Sequence, residues 1–378
     1  MPKVLVVFGT RPEAIKLAPV IKELKGKTAH FETYVCSTDQ HQEMLTQVLD
    51  VFDITPDYKL GLMRPEQSLF DITVNGLRKI ESVLKEVKPD IVLIQGDTTT
   101  TFLASLAAYY LKVKVGHVEA GLRSSDKFNP FPEEINRKLT DCLSDFFFVP
   151  TPKARDNLLR EGVEEEKIFI TGNTVIDALL YAIKIIRNSL RGEKIKQTFS
   201  NKYGLPLDGR RILLVTSHRR ESFGPDFEKI CLGLKMIAKA YPDLAIIYPV
   251  HLNPNVRGPV NKTLNNSQNI FLTEPLDYEK FVWLMDQCYL VLTDSGGIQE
   301  EAPALGKPVL VMRKKTERPE GIEVGTAKLV GVESGDIFQE TKELLDNPYA
   351  YRKMARAINP YGDGLASQRI VKILSEYL

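Results

Sequence analysis

A chain of 378 residues that is 43% apolar and 26% charged has an ordinary globular composition; it excludes a disordered or fibrous protein and exceeds what one core usually organises. With 50 basic and 49 acidic side chains the formal net charge is +1, which excludes an overall field that would draw in nucleic acid or an anionic membrane. The cysteines, Cys36, Cys142, Cys231 and Cys288, lie far apart among apolar residues, so buried small side chains are expected rather than a zinc site or a disulfide framework. No apolar run approaches the ~20 residues of a membrane span. MPKVLVVFGT runs straight into a strand pattern, and the expectation is a cytoplasmic protein.

Short β-rich apolar runs alternate with helical patterns. KVLVVFG (3–9) is followed by a helix over 13–25, and FETYVCST (31–38) precedes QHQEMLTQVLDVF. A helix over 68–87 leads to DIVLIQGD (90–97), a helix over 98–111, KVGHVEAG (114–121) and DFFFVPT (145–151). The central runs are apolar at every position, as in parallel strands buried on both faces. A long, charged helical stretch over 174–199 opens a second series. In it, RRILLVTSH (210–218), a helix over 225–240, LAIIYPVH (244–251), NIFLTEP (269–275), CYLVLTD (288–294) and KPVLVMR (307–313) follow in turn. The fold class is α/β with two halves, joined near 172–208, and a last helix over 367–378 that suits either half. A protein of this kind is expected to hold its ligand in a cleft between the domains, at the C-terminal ends of the strands.

The polar residues at those strand ends carry the candidate chemistry. In GTRPEAIK (9–16), Gly9 permits a tight turn, Pro12 suits a first helical turn, and Arg11 beside a helix N-terminus favours an anion. GxGxxG is absent, so this is no dinucleotide fingerprint. DSGGIQEEAPALG (294–306) is the clearest anion signal: Ser295, Gly296 and Gly297 open a helix whose N–H groups suit a phosphate. Glu300 or Glu301 within it suits a ribose diol. A capped helix with a solvated acidic face is the plainer account. Asp97 in QGDTTTT is either an N-cap or a working carboxylate. His117 and Glu119 fall on one side of a strand unless the strand ends between them. Glu133 and Glu134 follow a proline turn in FNPFPEEINR, where acidic residues suit a first helical turn. TSHRRESFG (216–224) brings His218 and Arg219 to the end of the first strand of the second half, and the loop containing Arg313, Thr316, Glu317 and Arg318 ends a later strand. Together, Asp97, Glu119, Glu133 and His218 suit proton transfer. They are also a conceivable metal set, but no short ligand motif such as HExxH accompanies them.

With these strings in order (GTRPEAIKLAPV, GDTTTT, GHVEAGLR, PEEINR, GNTVIDAL, HRRESFG, YPVHLNPNV, LTDSGGIQEEAP and TERPE) the chain closely resembles the non-hydrolysing UDP-N-acetylglucosamine 2-epimerases of bacteria and archaea. The resemblance covers essentially the whole chain. It implies two Rossmann-like domains in a GT-B arrangement with an interdomain cleft: 1–173, completed by helix 365–378, and 174–364. Family members are usually homodimers. Asp97, Glu119, Glu133 and His218 correspond to the family's catalytic group. Arg11, Lys16, Arg137, Arg219, Ser295, Gly296, Gly297 and Glu301 correspond to its UDP-sugar-binding positions. Bacterial members are often activated by their own substrate in a second pocket, which Gln42, Gln47, Arg64 and His251 would form here. Gln42 stands where an arginine or similar residue is common, and Ser217 where a glycine is frequent.

The activity implied is reversible inversion at C2 of UDP-N-acetylglucosamine to give UDP-N-acetylmannosamine. A carboxylate removes the C2 proton while UDP leaves C1, and UDP then adds back to 2-acetamidoglucal after protonation of its other face. This route requires no metal, nicotinamide or other cofactor. The alternatives are a 2-epimerase of a modified UDP-sugar such as a UDP-2,3-diacetamido-glucuronic acid, a hydrolysing epimerase, a GT-B glycosyltransferase and a catalytically silent UDP-sugar sensor.

Overall fold

The computed structural model describes residues 1–38, 42–62, 66–205, 207, 209–265 and 267–378, with 42–44 described by backbone alone. Contacts divide the chain into two compact units. One comprises Met1–Tyr181 with Tyr361–Leu378, and the other Ala182–Pro360. The boundary falls inside the helix Thr174–Arg187.

Among the described residues the first unit contains β1 (Lys3–Phe8), β2 (Glu32–Ser37), β3 (Tyr58–Lys59), β4 (Ile91–Gln95), β5 (Lys114–Val118), β6 (Phe146–Val149) and β7 (Ile168–Ile170). They form one parallel sheet in the order β3-β2-β1-β4-β5-β6-β7. The second unit contains β8 (Ile212–Thr216), β9 (Ala245–Pro249), β10 (Ile270–Thr273), β11 (Leu290–Thr293), β12 (Val309–Val311) and β13 (Ala327–Leu329). These too are parallel, in the order β10-β9-β8-β11-β12-β13. Every residue of β4 and β8 is buried, which explains their unbroken apolar runs. Leu5, Val7, Val92, Ile94 and Leu103 belong to one core, and Leu213, Val215, Phe227, Ile246 and Leu292 to the other.

The strand order reverses at β1/β4 in the first sheet and at β8/β11 in the second. Loops leaving two neighbouring strands in opposite directions open a crevice there, the usual ligand position in an open parallel sheet. Gly9 and Asp97 follow the first pair, and His218 and Ser295 follow the second. Gly9 is required less for a turn than for space. A Cβ there would lie 2.4 Å from the Thr38 hydroxyl and 2.5 Å from that of Thr100.

Three details differ from the sequence reading. The stretch 174–199 is two helices, Thr174–Arg187 and Arg191–Tyr203, broken at Asn188–Ser189, residues with weak helix preference. The strands β3, β7 and β13 have only two or three residues each, too few to register as a pattern. Cys142 is exposed, unlike the other three cysteines. It lies on the helix Glu133–Leu143, whose neighbouring Thr140 and Asp141 turn inward instead. No helix among the described residues is long and apolar enough to cross a membrane.

The last helix, Ala366–Tyr377, packs against the helix Arg11–Gly26. Its N-terminus is capped from outside: buried Asp177 accepts from the amides of Ala366 (3.2 Å) and Ser367 (2.7 Å) and from the Ser367 hydroxyl (2.6 Å). Tyr377 closes the other end edge-on against Phe146 and Phe169, 5.7 Å between ring centres in each case. Asp177→Ala should orphan these donors and cost about 2 kcal/mol or more. Thermal unfolding should show a lower Tm, with the helix Ala366–Tyr377 the first segment to lose hydrogen-exchange protection; an unchanged Tm would contradict the clamp.

Candidate active site

The loops at the β1/β4 crevice are tied together by a carboxylate that the sequence reading passed over. Thr10 and Glu13 form a capping box at the start of Arg11–Gly26. Glu13 is buried and accepts from the amides of Gly9 (3.0 Å) and Thr10 (2.6 Å) and from the hydroxyls of Thr98 (2.7 Å) and Thr101 (2.9 Å). Burial raises its carboxyl above the ordinary value, and its hydrogen bonds with Thr98, Thr10 and Gly9 oppose that rise. The spacing of Thr10 and Glu13 was the signal available in the sequence. Thr98, not Asp97, caps the helix Thr99–Tyr110, which leaves the Asp97 side chain for other work.

The strand β5 ends at Val118, so His117 and Glu119 part company. Glu119 has φ of +64°, a left-handed conformation that costs roughly 1–3 kcal/mol in a residue with a side chain and that gathers at functional sites. Its buried carboxylate takes hydrogen bonds from Lys16, from Gln95 and from Asn173, the last at 3.0 Å. Lys16 thus reaches Glu119 directly. His117 points the other way, into the core. Its Nδ1 lies 2.6 Å from Asp141 and its Nε2 2.8 Å from the carbonyl of Gly96. Arg123 also donates to Asp141, at 2.6 Å. Burial acts to raise the Asp141 carboxyl, but His117 and Arg123 together hold it below its ordinary value. The whole group braces the peptide just before Asp97.

Asp97 accepts from Arg137 through Nε (2.9 Å) and Nη2 (2.7 Å), and its carbonyl accepts from Asn136 (3.0 Å). Arg137 also reaches Glu134 at 2.9 Å, so its observed partners are two carboxylates. The adjacent acidic pair divides sharply. Glu134 is buried and accepts from the amides of Ser124 (2.9 Å) and Ser125 (3.2 Å), which with Arg137 outweigh burial and hold it below the ordinary range. Glu133 is half-buried, and its Oε2 is buried with no hydrogen-bond partner among the described residues. Arg11 is half-buried in the first turn of its helix.

In the second unit, HRRES forms a loop with one 3-10 turn, Arg220–Ser222. Asp294 is fully buried at the end of β11 and accepts from the amides of His218 (2.7 Å) and Arg219 (2.8 Å) and from the Ser217 hydroxyl (2.9 Å). Buried Arg313 clasps Glu221 of the same loop at 2.6 Å and Glu317 at 2.6 Å. The loop after β12 is therefore locked to the loop after β8 rather than solvated. Glu317 is held near 2: burial opposes this, and Arg313 overcomes it.

The helix Gly296–Ala304 starts between these loops. Ser295 is its N-cap, yet its side chain makes no capping bond, so the hydroxyl and the first amides are not committed to each other. A Cβ placed on Gly296 would lie 3.7 Å from the Arg219 guanidinium and 3.9 Å from that of Arg318. Gly296 thus leaves room where two guanidinium groups converge on a helix N-terminus, a strong anion cradle. Arg318 was legible only as part of a polar lip; Glu300, which ion-pairs with it, is buried. Glu301 is half-buried beside Gly297. The rings of His218 and His251 stack, 5.4 Å apart and 13° from parallel. Burial holds His218 below its ordinary value; His251 and Arg219 add to this, and Asp294 opposes them. Of the other residues read as a second pocket, Gln47 is exposed on the helix Gln42–Val51, while Arg64 and the Gln42 side chain lie outside the described residues.

In the first unit Lys16 meets Glu119 and Arg137 meets Asp97, with Glu133 one turn before Arg137 on the same helix; in the second Arg219 comes beside Gly296, with His218 and Ser295 just beyond β8 and β11. A family model described as UDP-N-acetylglucosamine 2-epimerase matches residues 22–375. The enzyme of that name from Escherichia coli is 53% identical over 372 residues, covering 98% of each chain. Among solved structures, UDP-GlcNAc 2-epimerase from Neisseria meningitidis bound to UDP-GlcNAc shares 49% identity at a TM-score of 0.88, across 99% of this chain and 100% of that one. The Methanocaldococcus jannaschii UDP-GlcNAc 2-epimerase in complex with UDP-GlcNAc and UDP shares 36% identity at a TM-score of 0.78, across 99% of both. With the match spanning both units, the chain belongs to the UDP-N-acetylglucosamine 2-epimerase family.

Proposed function

We propose that this protein interconverts UDP-N-acetylglucosamine and UDP-N-acetylmannosamine by eliminating UDP across C1 and C2 and adding it back. The observation that carries the reading is the cradle at Gly296, where Arg219 and Arg318 converge on the start of a helix. A diphosphate leaving C1 gains negative charge, and preorganised cations and amides stabilise that charge more in the transition state than in the bound substrate. Ser295, Gly296 and Gly297 take the diphosphate in this account, and Glu301 the ribose.

The carboxylates of the first unit act on the sugar. In the forward step the C2–H bond breaks, its electrons form the C1–C2 double bond, and the C1–O bond breaks with its electron pair leaving on UDP. The proton goes to a carboxylate. Asp97 and Glu119 are each paired to a cation. Glu133 has a buried oxygen with no donor among the described residues, so its lone pair is available to the C2 proton. Return of a proton to the opposite face, with attack by UDP at C1, completes inversion. Glu119 gives that proton after taking it from the Lys16 ammonium to which it is paired, Lys16 and Glu133 returning to their starting protonation by exchange with solvent, while Asp97, ion-paired with Arg137, positions the sugar.

Purified protein given UDP-N-acetylglucosamine alone should form UDP-N-acetylmannosamine, and on long incubation release some UDP and 2-acetamidoglucal. Binding without a new sugar nucleotide would favour a silent sensor or a modified substrate. Glu133→Gln should lower kcat about a hundredfold or more with Tm unchanged. Glu134→Gln should do the reverse, weakening stability by about 1–3 kcal/mol through its lost ion pair and amide contacts. Equal effects on kcat would contradict the division of labour. Gly296→Ala should raise the Kd for UDP about tenfold or more, a loss of roughly 1.4 kcal/mol, without lowering Tm, since alanine favours the helix.

A further inference from the structure

The β8/β11 crevice contains an unexplained buried atom. Asp294 is sealed from solvent, and its Oδ2 alone receives the Ser217 hydroxyl and the His218 and Arg219 amides. Its Oδ1 is buried with no hydrogen-bond partner among the described residues. An orphaned carboxylate oxygen in a core is costly, and a native site that keeps one calls for an explanation. A side-chain donor stands close by: the His218 Nδ1 is 3.7 Å away, just beyond hydrogen-bond reach.

We propose that Asp294 is the positioning residue for His218: one oxygen fixes the backbone of the loop and the other takes the His218 Nδ1–H as the ring turns, so that Nε2 is the atom offered to the diphosphate. This rests on the nucleotide reading of the cradle. An imidazole held at Nδ1 by a carboxylate has its tautomer set and its cationic form favoured. The groups facing His218 are Asp294, His251 and Arg219. In the free protein burial, His251 and Arg219 keep the ring neutral, with its proton on Nδ1. A bound diphosphate adds negative charge on the Nε2 side, and with Asp294 behind the ring it draws a second proton onto His218. The ring then donates from both nitrogens, to Asp294 and to the departing phosphate. Ser217 adds a donor to Oδ2 and so strengthens its commitment to the loop.

The test is NMR of protein labelled with 13C and 15N in histidine, the His218 signals being assigned with His218→Gln. In the unaltered protein at pH 7.5, Nδ1 should carry the proton in the free state and both nitrogens should carry one with saturating UDP. Asp294→Asn keeps an acceptor for the loop amides but presents an NH2 group to Nδ1. It should switch free His218 to the Nε2–H tautomer, abolish the second protonation and lower kcat about tenfold or more. A bare Nδ1 in the unaltered free protein would overturn the proposal, and so would unchanged His218 protonation in Asp294→Asn with only Tm reduced. Because the first reading is taken on the unaltered protein and needs only His218→Gln for assignment, misfolding of Asp294→Asn does not shield the proposal. A His218 signal blind to UDP would overturn the nucleotide reading instead, while the free-protein tautomer would still decide the role of Asp294.

Discussion

The reversal of strand order beside β1 and β8 is the constraint on which the rest of this structure depends. A parallel strand buried on both faces cannot hold a charged side chain along its length, so charge collects where the strand stops. Loops that diverge at a reversal leave an opening there, and each unit places its chemistry in that opening. The close approach at Gly9 and the room left at Gly296 serve the same end: backbone or ligand can come where a side chain would otherwise stand.

One residue type performs unlike tasks around these openings. Glu13, Glu134 and Asp141 are buried and spend their oxygens on loop amides, hydroxyls or cations, and Asp294 spends one of its two in the same way. They make the loops rigid. Asp97 and Glu119 are paired to Arg137 and Lys16, and Glu133 keeps an oxygen without a donor. Environment, not identity, separates a brace from a reagent, since donors fix a carboxylate as a charged acceptor and their absence leaves it a base. The strained backbone at Glu119 fits the same pattern: a conformation that folding alone would avoid is held where a buried carboxylate meets Lys16, Gln95 and Asn173.

Most of the architecture is legible in the sequence because long buried strands such as β4 and β8 print their burial as unbroken apolar runs. The strands β3, β7 and β13 are not, since two or three residues carry no periodicity, whereas β12, as short, is legible in the longer run KPVLVMR. For the site, strand-end position singles out Asp97, Glu119 and His218, the resemblance to the family adds Glu133, and the glycines single out the cradle. What sequence alone does not resolve is which of two neighbouring acids turns inward. Glu133 and Glu134 are equivalent by spacing, and only the fold of residues 124–125 onto Glu134 tells them apart. Arg318 and Asp294 are hidden for a similar reason. Their partners lie beyond other strands, Glu300 in the helix after β11 and Ser217 in the loop after β8, at separations of 18 and 77 residues, which no local motif records.

The account stands or falls on whether C2 loses its proton to these carboxylates. The most direct measurement is proton NMR of the reaction run in D2O with UDP-N-acetylglucosamine. The account predicts deuterium at C2 of the UDP-N-acetylmannosamine formed, and then at C2 of the returning substrate as equilibrium is approached. Epimer that retains its original C2 hydrogen would contradict proton abstraction as the central event.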